Sequence, residues 1–203
     1  PSVPCPEKIT ECMIKLLQEE EPVALHGYTS AAGDLDTRKA IADYINGKYS
    51  LGAEPQDIYM TAGAAASLTI SLKSVACQGE EVIVFTPYFP EYKVFIENSG
   101  AVTVEVPIDK NDFQIDFDAL EDAFSEKTAA VIINSPNNPT GAVLTEETLK
   151  KLGAFLSEKE QKYDKEICLI SDEPYRELVY GDVKLAFPAN YYDDTIICYC
   201  YSK

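Results

Sequence analysis

Residues 81–106 read EVIVFTPYFPEYKVFIENSGAVTVEV, and this stretch decides the fold class. Residues 81–86 form a continuous apolar run, which is typical of a strand buried on both faces. Residues 90–98 are predicted to be helical, and residues 102–106 form a second strand. A strand, a helix and another strand in this order predict part of a parallel sheet.

The same alternation extends in both directions from this stretch. Ile9, Met13, Leu16 and Leu17 have helical spacing, and a second helix is predicted after Asp34 as its N-cap. That second helix is predicted to end near Gly47. The other predicted elements are a short extended, strand-like segment at 58–61, helices at 64–76, 116–124 and 145–162, and strands at 129–134, 166–171 and 195–199. Together they predict an α/β domain with helices on both sides of a mostly parallel sheet.

Composition limits the classes of partner. The chain has 203 residues, 46% of them hydrophobic and 25% charged, and it is long enough to bury one sizeable core. Its net charge of −17 repels phosphate backbones and anionic lipid head groups. No apolar run approaches the length of a membrane span, and no signal peptide is visible. We therefore expect no nucleic-acid partner and no membrane partner.

Cysteine and histidine usage argues against a metal site. None of the six cysteines forms a CxxC pair, and the chain has a single histidine, His26. Four of the cysteines lie in apolar helix or strand segments, where cysteine behaves as a small hydrophobe. We expect reduced thiols, no metal and a cytoplasmic location.

Chemically useful residues follow the predicted strands. Ligands of parallel sheets bind beyond the carboxyl ends of the strands. Five predicted strands are followed there by a helix-opening glycine turn, an aromatic residue, an amide cluster, an acid with a phenol, and a lysine. These groups lie at 61–65, 86–90, 134–141, 172–175 and 200–203. Their shared edge predicts an active site.

Two of these residues have competing interpretations. Lys203 could form a Schiff base with an aldehyde cofactor, although a lone lysine is more often a solvated surface residue. Asp172 could be a metal ligand, a helix N-cap or the partner of a ring nitrogen. If the cofactor is pyridoxal 5′-phosphate (PLP), such a carboxylate keeps the pyridine nitrogen protonated.

Three further candidates are weaker when each is taken alone. Gly63-Ala64-Ala65 could bind a phosphate at a helix start, or could simply form a tight turn. Phe89 could stack on a planar cofactor or pack in the core. Asn138 could donate to a cofactor oxygen or fold back on its own backbone. Neither GxGxxG nor the P-loop pattern is present, which argues against a nucleotide-binding protein.

Six motifs in order resemble the fold-type-I PLP-dependent aminotransferases of the aspartate/aromatic aminotransferase group. The resemblance covers essentially the whole chain, and SPNNPTG is its most specific motif. The motifs are YTSAAGDLDTRKAIADY at 28–44, TAGAAASL at 61–68, TPYFPEY at 86–92, SPNNPTG at 135–141, SDEPYREL at 171–178 and YSK at 201–203. The fold implied is the three-layer αβα large domain of PLP-dependent transferases.

The resemblance implies a role for each residue at the cofactor ring. Lys203 would form the internal aldimine and later carry the α-proton. Asp172 would pair with the pyridinium nitrogen. Tyr175 and Asn138 would bind the 3′-oxygen, and Phe89 would stack on the ring. The implied activity is transfer of an amino group between an L-amino acid and a 2-oxo acid.

The resemblance also implies a phosphate site and a dimer. Gly63, Ala64 and Ala65 would offer backbone N–H groups to the phosphate. Cys200 and Ser202 belong to the lysine motif, and Cys200 stands where the family often has a phosphate-binding serine, so it would be a weaker donor. Tyr28 would reach the phosphate of the neighbouring subunit in a homodimer.

Some features of the family have no counterpart in this sequence. The only two arginines, Arg38 and Arg176, match neither the phosphate arginine nor the carboxylate arginine of the family. Residues 1–4 resemble the middle of the family's substrate loop. We therefore expect a fragment, with an incomplete N-terminal segment at 1–27, a PLP-binding large domain at 28–203 that stops at the Schiff-base lysine, and no small C-terminal domain. Alone, it is expected to have little or no transaminase activity.

Two other functions share the same residues. A PLP-dependent C–S lyase would use the same lysine, acid and aromatic, but would release pyruvate and ammonia without an oxo-acid acceptor. A non-catalytic effector domain of a transcription regulator would need an upstream basic DNA-binding segment.

Overall fold

The computed structural model describes residues 4–203, so residues 1–3 of the predicted substrate loop lie outside the described part. The chain divides into two compact units, one ending at Met60 and the other running from Thr61 to Lys203. The predicted division after residue 27 concerns the complete enzyme and stays a prediction.

The N-terminal unit is helical. It contains α1 (Glu7–Glu19), α2 (Pro22–His26), α3 (Leu35–Tyr49) and a short 3₁₀ helix at Pro55–Asp57. The predicted N-cap of α3 is confirmed, because the Asp34 carboxylate accepts a hydrogen bond of 2.8 Å from the Thr37 N–H. The short helix α2 was not predicted from the sequence.

One predicted strand is wrong. Residues 58–61 belong to no sheet, and the Met60 N–H instead donates to the Ala32 carbonyl at 2.9 Å. The backbone is extended at Ile58, as predicted, but it pairs with a turn rather than with another strand. The glycine turn at Gly63 therefore follows a segment that lies outside the sheet.

The second unit contains a five-stranded sheet. Its strands are β1 (Glu81–Thr86), β2 (Val102–Pro107), β3 (Thr128–Asn134), β4 (Cys168–Asp172) and β5 (Thr195–Cys198). They lie in the order β2-β1-β3-β4-β5, and all four neighbouring pairs are parallel. The predicted α/β class and parallel sheet are confirmed.

Helices cover both faces of this sheet. The unit has four α-helices and a short 3₁₀ helix at Pro188–Asn190; the α-helices are α4 (Ala64–Val75), α5 (Glu91–Ser99), α6 (Phe117–Ala123) and α7 (Glu146–Tyr163). Ile83 and Phe85 of β1 share a core with α6 and α7, whereas Val82 and Val84 share a second core with α4 and α5. Alternate side chains of one strand thus enter opposite cores, which explains why the strands read as unbroken apolar runs.

Candidate active site

Two neighbouring strand ends form the centre of the site. Asn134 closes β3 and is paired in register with Asp172, which closes β4. The buried Asn134 side chain donates to the Asp172 carbonyl at 2.8 Å and accepts from the Asn138 N–H at 2.7 Å. Asn134 thereby ties the SPNNPTG loop to the end of β4.

This loop brings two predicted residues together. The Asn138 side-chain amide donates to the Tyr175 hydroxyl across 3.4 Å, and both side chains are half-buried. The Asn138–Pro139 peptide bond is cis. An amide donor and a phenol therefore meet close to the chain segment that begins at Asp172.

Asp172 itself is only 5% exposed. Its Oδ2 accepts a hydrogen bond of 2.5 Å from the Tyr92 hydroxyl, while its Oδ1 is buried without a hydrogen-bond partner among residues 4–203. Burial raises the pKa of Asp172 to about 6; the Tyr92 hydrogen bond acts against this rise, and the nearby Glu173 adds to it. The carboxylate can therefore accept one more donor, and a cationic donor would stabilise its charged form.

Tyr92 is a site residue that the sequence did not reveal. It lies in α5, is 2% exposed and has its pKa raised by burial and by the Asp172 carboxylate. Its place in the same aromatic motif as Phe89, at residues 86–92, was the available signal. A buried tyrosine hydroxyl needs a partner, and here that partner is the predicted acid.

Phe89 packs against this tyrosine. The two rings meet edge to face, with centroids 5.7 Å apart and planes at 78°. Tyr88 lies on the other side with its ring nearly parallel to Tyr92, and its hydroxyl donates to Glu105 at 2.7 Å. Phe89 is half-buried and also joins the core beside α4 and α5, so part of its surface serves core packing.

The helix start at residues 63–65 has the backbone of an anion site. Gly63 has φ of +87°, a conformation that favours glycine, and it precedes the first residue of α4, Ala64. Gly63 and Ala65 are exposed. The first N–H groups of an α-helix have no partners within the helix, so they are available to a ligand.

The end of β5 carries the lysine motif. Cys198 is buried and paired in register with Asp172, so β5 ends at the same edge of the sheet as β4. Beyond it, the Cys200 thiol and the Ser202 hydroxyl lie 3.1 Å apart. Lys203 is exposed, and within residues 4–203 no hydrogen bond or ion pair joins it to Asp172. Tyr28 belongs to the N-terminal unit and is fully exposed.

Residues 4–203 contain neither a cluster of metal-binding side chains nor a membrane-spanning helix. Among residues 4–203, His, Cys, Asp and Glu form no group of three that could hold a metal ion. In the same residues, no helix has the length and apolar composition needed to cross a membrane.

Comparison with known proteins gives a consistent result. The family model for "Aminotransferase class I and II" matches residues 4–203. A probable aspartate/prephenate aminotransferase of Aquifex aeolicus is 36% identical over 195 residues, which are 96% of this chain and 47% of that protein. The chain therefore spans about half the length of the curated relatives it matches.

Solved structures agree with the sequence comparison. An aminotransferase from Eubacterium rectale superposes with a TM-score of 0.97 at 49% identity, covering 100% of this chain and 51% of that one. An aromatic aminotransferase from Pyrococcus horikoshii gives a TM-score of 0.89 at 32% identity, covering 100% of this chain and 53% of that one.

Proposed function

Because the chain belongs to the class I and II aminotransferases, we propose that the protein uses PLP to transfer an amino group between an L-amino acid and a 2-oxo acid. The observation that carries this proposal is the buried Asp172 carboxylate, whose Oδ1 has no hydrogen-bond partner among residues 4–203. The relatives named above are aminotransferases, so the C–S lyase and the effector domain are not favoured.

The residues present fit the ring of this cofactor. A protonated pyridine nitrogen is a cationic donor, which is what the buried Asp172 Oδ1 lacks. Burial raises the pKa of Asp172 to about 6, and a cationic partner would lower it again, so binding and ionisation favour each other. Asn138 and Tyr175 would hold the 3′-oxygen, and Phe89 would cover one face of the ring.

Lys203 and Asp172 would have separate roles beside the bound cofactor. Bound PLP supplies an electron sink that withdraws electrons from the substrate α-carbon. Lys203 Nζ would hold the cofactor's aldehyde carbon and, once released by the substrate, accept the α-proton. Asp172 would keep the ring nitrogen protonated throughout, because its buried carboxylate loses its counter-charge if that proton leaves.

The phosphate would lie at the start of α4. Gly63, Ala64 and Ala65 would contribute backbone N–H groups, because neither alanine has a side-chain donor. Cys200 and Ser202 would add side-chain contacts from the lysine motif. We propose further that the enzyme is a cytoplasmic homodimer in which Tyr28 binds the phosphate of the partner subunit.

The domain assignment is part of the same proposal. Residues 28–203 would form the PLP-binding large domain, and residues 1–27 would form an N-terminal segment. The matched relatives are about twice as long as this chain, so the proposed L-amino acid and 2-oxo acid substrates concern the whole enzyme.

Covalent fixation tests the proposal. The full protein should bind PLP with a new visible absorbance band, and borohydride should abolish that band and fix the cofactor to one peptide containing Lys203. Lys203→Ala should lose the fixation and at least about a thousandfold in activity, because it removes both an amine and a proton carrier. The matched control is Lys184→Ala, which changes an exposed lysine and should behave as the parent. Fixation at another lysine would contradict the assignment.

A further inference from the structure

A second acid lies directly after Asp172 inside the fold. Glu173 is 0% exposed, and its backbone N–H donates to the Cys198 carbonyl at 2.9 Å, which ties this residue to β5. Two consecutive carboxyl groups are thus buried at one edge of the sheet. Burying a charge is costly unless it is paired, so the partner of Glu173 matters to its neighbour.

That partner is Arg176, which is 4% exposed. Its Nε donates to Glu173 Oε2 and its Nη2 donates to Glu173 Oε1, each at 2.8 Å. The Ser171 hydroxyl adds a third bond of 2.7 Å to Oε1. Burial raises the pKa of Glu173, and the hydrogen bonds from Arg176 act against that rise. Bidentate pairing of this kind favours the ionised form of the acid.

Arg176 is also fixed on its other side. Its Nη2 donates to the Ala186 carbonyl at 3.1 Å, and its guanidinium lies 5.0 Å from the centroid of the Phe187 ring. The positive charge therefore has a defined place three residues beyond Glu173. It also directly follows Tyr175, a proposed site residue.

Few charged groups face Asp172. Within residues 4–203, Tyr92 of α5, Cys198 of β5 and Glu173 of its own segment interact electrostatically with Asp172. Burial raises the pKa of Tyr92, and it raises that of Cys198 to about 11, so these two groups are neutral at physiological pH. Glu173 is the acidic neighbour whose charge Asp172 feels, and Arg176 is the cation that limits this charge.

We propose that Arg176 is a positioning residue of the site, which offsets most of the charge of Glu173 inside the fold and so leaves Asp172 as the buried carboxylate without a cation at this sheet edge. This inference rests on the proposed function, in which Asp172 pairs with the cofactor's ring nitrogen. The buried pair supplies structure around Asp172 without adding a net negative charge. The free Oδ1 of Asp172 then remains the place where a cation is needed.

Charge balance and packing predict different outcomes for three variants. Arg176→Met leaves two neighbouring buried acids without a cation, so the Asp172 titration should move upward by about one pH unit or more and become two-stepped. Glu173→Gln leaves an uncompensated cation instead, and the titration should move downward. In Glu173→Gln/Arg176→Met both charges are gone, and the midpoint should return towards that of the parent. If the pair acted through packing alone, the Asp172 midpoint would move in the same direction in all three variants.

The measurement is carbon-detected NMR of the Asp172 carboxyl group in the cofactor-free full protein. The conservative variant Arg176→Lys keeps the charge and should restore most of the parental midpoint. Lys184→Met, which removes an exposed positive charge, should leave the midpoint unchanged. The PLP affinity of Arg176→Met, measured by titration at pH 5.5, should fall by up to about tenfold, because below the parental midpoint a rise of one pH unit lowers the ionised fraction of Asp172 almost tenfold.

Two results would overturn the inference. One is an Asp172 midpoint that does not move in Arg176→Met; the other is movement in the same direction in Arg176→Met and Glu173→Gln. If Arg176→Met does not fold, Glu173→Gln and the double variant still show in which direction the Asp172 midpoint moves. Failure of PLP to bind the parent protein would refute the proposed function instead, and the NMR titration would still report on the charge balance.

Discussion

The segments after β4 and after β5 are neighbours at one sheet edge, yet they are built differently. At the end of β4 and just after it, Asp172, Glu173 and Arg176 are buried, and each is held by side-chain hydrogen bonds. After β5, Cys200 is half-buried and Tyr201, Ser202 and Lys203 are exposed. The fold therefore stabilises the position of the acid through packing, whereas the proposed cofactor lysine is accessible to a small molecule. This difference predicts that changes after β4 alter stability and ionisation, and that changes after β5 alter ligand binding.

The largest effect is expected from Asp172→Asn on the stability of the cofactor-free protein. The pKa of Asp172 rises from its ordinary value of 3.8 to about 6 in the fold. The folded protein thus keeps a proton that the unfolded chain has lost, and ionisation of Asp172 destabilises the fold as the pH rises through this window. Between pH 4 and pH 7.5, Asp172→Asn should gain about 2–3 kcal/mol relative to the parent.

Urea unfolding at the two pH values measures this difference. Asp182→Asn is the matched control, because Asp182 is exposed, and it should follow the parent at both values. If the free energy of unfolding depended on pH equally in Asp172→Asn and the parent, ionisation of the buried Asp172 would not destabilise the fold. The same variant should bind PLP less well, so stability and binding would change in opposite directions.

The two strand ends also differ in how well they could be predicted. Apolar runs were enough to predict the inner strands β1, β3 and β4 of the parallel sheet, because strands buried on both faces need continuous apolar sequence. The short segment at 58–61 looked like a strand locally, but its pairing with Ala32 depends on a turn far along the chain. Sequence patterns report which face a residue lies on and do not report its partner.

The same limit applies to the candidate site. Asp172, Asn138 and Tyr175 could be proposed from motifs because they follow strands, and the structure brings Asn138 and Tyr175 together. Tyr92 was part of the TPYFPEY motif but received no role, because its hydrogen bond to Asp172 spans 80 residues of sequence. Glu173 and Arg176 received no role from the sequence, because such residues are rarely buried without a partner and the sequence does not identify that partner.

A smaller effect is expected from Tyr92→Phe, which removes the donor to Asp172 Oδ2 and keeps the ring. Loss of that donor should raise the pKa of Asp172 further above about 6. Hydrogen bonds to charged groups contribute about 1.5–3 kcal/mol, so PLP affinity at neutral pH should fall about tenfold or more. Absorbance titration with PLP measures the affinity, and carboxyl NMR measures the pKa.

Tyr88→Phe is the control for this change. Tyr88 stacks on Tyr92, but its hydroxyl donates to Glu105 instead of Asp172. Removal of the Tyr88 hydroxyl should leave the midpoint of the Asp172 titration unchanged. If both variants lowered PLP affinity equally, the hydrogen bond from Tyr92 to Asp172 would have no separate role. Tyr92 would then act through the packing of its ring alone.

The smallest effect is expected after β5, from Cys200→Ser. Cys200 lies 3.1 Å from Ser202 in the exposed lysine motif, and a thiol is a weaker hydrogen-bond donor than a hydroxyl. A hydroxyl at this position should tighten PLP binding by about two- to tenfold, in keeping with about 0.5–1.5 kcal/mol for a neutral hydrogen bond. Cys77→Ser, which changes an exposed cysteine outside the motif, should have no effect. Because the segment is exposed, the unfolding free energy of Cys200→Ser should match that of the parent; a loss of stability would show that this strand end is as tightly packed as the end of β4.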